Sequence, residues 1–90
     1  MKISTADLAK ARMAAERLLD SLELEAYLYE VEPADGGEWT LVLECATGDG
    51  WQRTNWTVGG EELLASLDDD AVRGRLRERL ARRTTACRGR

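Results

Sequence analysis

The chain has 90 residues, 43% of them hydrophobic and 33% charged, a formal net charge of −4 and no histidine. That length holds one small domain, and the apolar share is ordinary for a chain that folds. The lack of histidine excludes imidazole general bases, imidazole metal ligands and serine–histidine triads, and the shortness of the apolar runs excludes a membrane-spanning helix.

Ser4 followed by Asp7 approximates a capping box and predicts a helix over 5–22. Leu8, Ala11, Ala15, Leu18, Leu19 and Leu22 recur at helical spacing and form its apolar stripe. Residues 25–32 alternate like a strand, with Tyr27, Tyr29 and Val31 on one side and Ala26 and Leu28 on the other. Pro33 closes that strand, since it has no amide hydrogen for a ladder, and Asp35-Gly36-Gly37 supplies turn residues that tolerate positive φ.

Residues 38–46 carry the cleanest period-two pattern: Trp39, Leu41, Leu43 and Cys45 one way, Thr40, Val42 and Glu44 the other. Thr47-Gly48-Asp49-Gly50 predicts a hairpin turn into a third strand over 51–58. There Trp56 and Val58 mark the buried side, and Trp51, Arg53, Asn55 and Thr57 the opposite one. Gly59-Gly60 breaks the strand. Two helical segments, about 60–67 and 69–83, are favoured over one continuous helix, with Asp68-Asp69-Asp70 capping the second and Val72, Leu76 and Leu80 as its stripe. Residues 84–90 show no pattern and are expected as a disordered tail behind a single domain over 1–83.

The fold class is therefore α+β, in the order α-β-β-β-α(α). Two tight turns enforce a three-stranded antiparallel meander, and its apolar face requires the helices to pack there. This element order, over roughly residues 5–83, is similar to that of the double-stranded RNA-binding domain. That family has a lysine-rich start to its final helix; the corresponding stretch here is Glu61-Glu62-Leu63-Leu64, so no binding residue is carried over.

Charge is strongly segregated. Residues 1–70 carry 16 acids and 5 bases, a balance of −11, and residues 71–90 carry 8 bases and 1 acid, a balance of +7. Arg73, Arg75, Arg77, Arg79, Arg82 and Arg83 form the candidate nucleic-acid surface, because guanidinium forks suit phosphates. A sequence pI near 4.8 disfavours attraction to a polyanion, and the arginines surround the helix where a binding helix would gather them on one side. Internal pairing with helix ends and acidic strands is the competing reading.

The second candidate surface is the outer sheet face, with Trp51, Arg53 and Asn55 beside Thr40, Val42 and Glu44, and with one or more of Tyr27, Tyr29 and Val31 expected to join them. Aromatic side chains next to an arginine have the composition of an interface centre. No catalytic or metal site emerges: the serines lack a nearby base or a nucleophile elbow, Gly48-Asp49-Gly50 lacks the rest of a phosphate loop, and three consecutive aspartates point in different directions. Cys45 and Cys87 have no zinc or redox spacing. Cys45 is expected in the core and Cys87 exposed in the tail, both reduced, because no signal peptide is evident and the expected location is the cytoplasm. The sequence thus points to a non-enzymatic protein-binding module without cofactor: an adaptor, an inhibitor or an accessory subunit of an enzyme complex. Its partner is an unidentified protein or a second copy in a homodimer, with nucleic acid disfavoured and no membrane contact.

Overall fold

A computed structural model describes residues 4–24 and 26–88. The first three residues of the expected domain, the expected strand start at 25 and the last two tail residues lie outside the described residues. Ser4 caps helix α1 (Thr5–Ser21) by accepting from the Asp7 amide at 3.0 Å. Its buried face is Ala11, Ala14, Ala15, Leu18 and Leu19. Three alanines on that face let the helix backbone come close to its neighbours. The helix ends through Leu22, and Glu23 then adopts a left-handed φ of 55°, a position that glycine more often fills.

Strands β1 (Tyr27–Pro33), β2 (Glu38–Thr47) and β3 (Gly50–Gly59) form one antiparallel sheet in the order β1-β2-β3. The turn between β1 and β2 uses positive φ at Gly36 and Gly37, as its composition requires. The β2–β3 hairpin closes on the pair Thr47 and Gly50. Thr47 Oγ1 accepts from the Asp49 amide and donates to the Gly50 carbonyl, and Gly50 takes the positive φ of 113°. The last helical region is split as its sequence predicts, into α2 (Gly60–Ala65) and α3 (Asp70–Arg83). Asp69 Oδ1 caps α3 by accepting from the amides of Ala71 and Val72, which is the role expected of the aspartate run.

The core sits between the helices and one face of the sheet. Trp39, Leu41, Leu43 and Cys45 of β2 and Trp56 and Val58 of β3 pack there with Leu18, Leu19, Leu63, Leu76 and Leu80 of the helices. The two buried hydroxyls are satisfied within their own helical segments: Ser66 donates to the Leu63 carbonyl and Thr84 to the Leu80 carbonyl.

The C-terminal segment departs from expectation. Thr84 is fully buried, a 3-10 turn spans Thr85–Arg88, and Cys87 is buried and joined to Cys45 in a disulfide. Neither an exposed Cys87 nor a patternless segment through residue 88 is found. The reason is geometric. Thr84 continues the every-fourth-residue stripe of Val72, Leu76 and Leu80, so the chain leaves α3 pointed at the inner face of β2. The Cα atoms of the two cysteines are then 5.5 Å apart, the separation that suits a disulfide.

Two consequences are measurable. A Cβ on Gly60 would run into the Gly37 carbonyl oxygen and crowd Trp39 Nε1. Gly60→Ala is therefore expected to lower stability by about 1–3 kcal/mol in urea unfolding, as backbone overpacking does. The disulfide closes a loop with a sequence separation of 42. Reduction, or a Cys45→Ala/Cys87→Ala double variant, is expected to lower unfolding free energy by roughly 2–4 kcal/mol.

Candidate functional site

Antiparallel pairing sets which side chains share a face, because directly opposed residues point the same way. Across β2 the register aligns Leu28 with Glu44 and Arg53, Glu30 with Val42 and Asn55, and Glu32 with Thr40 and Thr57. Ala46 and Trp51 are opposed at the hairpin end. These residues form the outer face, which no helix covers. Trp51 is 60% exposed and Leu28 62%. A shallow concavity of about 390 Å³ on this side of the sheet is lined by Leu28, Tyr29, Glu30, Val42, Glu44 and Arg53. Arg53 and Glu44 form an exposed ion pair at 3.8 Å, and the Thr40 and Thr57 hydroxyls meet at 3.1 Å. Val42, although on this face, is only 9% exposed between Glu30 and Asn55, so the accessible apolar area is concentrated at Leu28 and Trp51.

The structure brings Trp51, Arg53 and Asn55 together and separates them from the two tyrosines. Tyr27 opposes Cys45 and Tyr29 opposes Leu43, which puts both rings on the inner face at the sheet margin, 6.3 Å apart. The expected joint aromatic face is corrected accordingly. Leu28, on the opposite side of β1 from the tyrosines, takes the place expected of them.

Tyr27 has a structural duty on the inner face. Its hydroxyl donates to Asp20 Oδ1 at 3.0 Å, tying β1 to the end of α1. Burial foremost, then the hydrogen bond to Asp20 and the negative charges of Asp20 and Glu16, push the phenol up to about 12 from its ordinary 10.0.

The arginines of α3 are largely engaged within the chain. Arg73 donates to the carbonyls of Ser66 and Leu67 and pairs with Asp70 at 2.7 Å. Arg77 donates to the Ser21 carbonyl and hydroxyl at the end of α1. Arg79 pairs with Glu62 at 2.9 Å, and Arg83 donates to the Asn55 carbonyl of β3 at 2.9 Å. Arg75 and Arg82 are exposed. Helix ends carry unpaired carbonyls and the negative pole of the helix dipole, so guanidinium groups are held there by local chemistry.

Among the described residues, no group of three or more Cys, Asp or Glu side chains is placed to hold a metal ion, and no helix is long and apolar enough to cross a membrane. No protein-family model, curated protein or solved structure matches the chain.

The Tyr27 tie has a pH signature. The folded protein binds this proton more tightly than the unfolded chain does, so the contribution is complete below pH 10 and is lost as the pH rises through about 12. Ultraviolet titration is expected to resolve a tyrosinate step near 12 that disappears in Tyr27→Phe.

Proposed function

We propose that this chain is a non-catalytic protein-binding module that docks through the outer face of its sheet. The observation that carries this reading is the pair of large apolar side chains, Trp51 and Leu28, each more than half exposed on a sheet face that no helix covers and flanking Arg53. Exposed aromatic and arginine side chains supply much of the energy at protein interfaces, the aromatics because they bury large area at small entropic cost.

The partner's chemistry follows from charge. Between residues 26 and 59 the chain carries Glu30, Glu32, Asp35, Glu38, Glu44 and Asp49 against Arg53 alone. A basic surface is steered to such a sheet and an acidic one is repelled. Adaptor, inhibitor and accessory subunit are all uses of this one surface. The same acidic surroundings oppose stacked nucleobases. Four of the six candidate arginines of α3 are committed to contacts within the chain, which favours the protein partner over a nucleic acid. The concavities are shallow and open, and no strained nucleophile or convergent acid–base pair lines them, which favours binding over chemistry. A cytoplasmic location belongs to the same reading.

The test is a double variant, Trp51→Ser/Arg53→Ser, compared with wild type in affinity capture from the native cell. Both positions are exposed, so stability is expected within about 0.5 kcal/mol of wild type. Loss of specific co-purifying proteins supports the outer face as the docking surface. Capture unchanged by the variant overturns it.

A further inference from the structure

The two margins of the sheet are not equivalent. In an antiparallel ladder, alternate residues direct both backbone groups to the neighbouring strand and the rest direct them away. The Ala46 amide donates to the Ala26 carbonyl and the Ala34 amide to the Glu38 carbonyl, and these bonds bracket β1. Even-numbered residues of β1 therefore bond to β2, and Tyr27, Tyr29 and Val31 turn their N–H and C=O groups outward. Among the described residues no backbone or side-chain group takes them. On the opposite margin, β3 has its outward Asn55 carbonyl taken by Arg83.

We propose that the free edge of β1 accepts an extended protein segment with alternating apolar and basic side chains, added as a further strand. This rests on the protein-binding reading and assigns it a second surface, adjacent to the outer face. Side chains of an added strand fall alternately on the two faces of the sheet. On the outer face they stand beside Glu30 and Glu32, both exposed, where a lysine or arginine is favoured. On the inner face they enter a groove of about 260 Å³ between α1 and β1, where Leu8, Tyr29 and Val31 offer apolar contact. Arg12 lines the same groove and opposes a cation at its α1 side, while Glu30 and Glu32, which also line it, attract cations toward the β1 edge.

Glutamates on an edge strand also serve to prevent indiscriminate pairing. Here they set which strand is admitted. A second copy presenting its own β1 in antiparallel fashion would bring glutamates toward glutamates, and like charges across strands destabilise pairing.

The experiment uses the intact protein and fluorescently labelled peptides matched to the seven residues of β1. One alternates valine and lysine, one alternates valine and glutamate, and one has the first composition with its lysines contiguous. Fluorescence anisotropy is expected to show the alternating lysine peptide binding about tenfold tighter than either control. Val31→Pro removes an outward N–H while leaving the β1–β2 bonds in place, and is expected to abolish that binding. Glu30→Lys/Glu32→Lys, on two exposed side chains, is expected to reverse the preference toward the glutamate peptide. Trp51→Ser/Arg53→Ser is expected to bind the lysine peptide as wild type does, whatever becomes of partner capture through the outer face. Equal binding of the contiguous-lysine peptide overturns the proposal, as does a preference that the double charge reversal leaves unchanged. Binding lost in the Trp51/Arg53 variant but kept in Val31→Pro assigns the peptide to the outer face and overturns it too. A dimer that Val31→Pro dissolves gives the edge to a second copy and likewise overturns it.

Discussion

β2 is the strand hydrogen-bonded on both sides, and its alternation is the constraint that organises the molecule. Trp39, Leu41, Leu43 and Cys45 occupy every second position and are all buried. A period of two leaves no freedom: once these four face the helices, Thr40, Val42, Glu44 and Ala46 must face away, and the register carries the same division to β1 and β3. The helices can cover one face only. Three strands with one covered face are near the minimum for an independently stable sheet. The binding reading therefore depends on a packing requirement, because the residues left outside are the complement of those needed inside.

The basic end of the chain follows from the same smallness of the core. One short helix and two longer ones expose carbonyls at their ends, where backbone hydrogen bonding stops. Arg77 reaches the end of α1, Arg73 the end of α2, and Arg17 donates to the Leu67 carbonyl from the other side. Individually such exposed contacts are weak. They link the ends of α1 and α2 to their neighbouring helices. Charge segregation that reads along the sequence as a polyanion-binding face is, in three dimensions, largely a set of contacts within the chain: to helix ends from Arg73 and Arg77, to Glu62 from Arg79 and to β3 from Arg83.

The strands, the turns and the break between α2 and α3 are legible in the sequence because their causes are local. Glycine at the positive φ positions, proline at a strand end and aspartate at a helix cap act within a few residues. The placement of Tyr27 and Tyr29 is not legible. β1 is apolar on both sides, with Ala26 and Leu28 against Tyr27, Tyr29 and Val31, so hydrophobicity does not choose its inner face. The choice is made by the turn at Asp35–Gly37, which pairs Pro33 with Trp39 and thereby Tyr29 with Leu43. The bond between Cys45 and Cys87 is hidden for a different reason. It is a contact between distant parts of the chain, and its only sequence sign is Thr84 extending the α3 stripe. The arginine clasps are hidden because a helix-end carbonyl has no residue type of its own.

Edge chemistry then distinguishes the two margins of this open sheet. The β3 margin is interrupted where Arg83 occupies the Asn55 carbonyl, and a strand arriving there would have to displace a charged donor as well as align its ladder. Among the described residues the β1 margin has no such plug and carries charge instead, with Glu30 and Glu32 alternating with half-buried apolar side chains and Pro33 ending the ladder. A mechanical block rejects every strand equally. An electrostatic one discriminates by sign, and its strength changes with salt. The two margins of one sheet thus differ in kind, and of the two only the β1 margin carries a barrier that distinguishes one strand from another by charge.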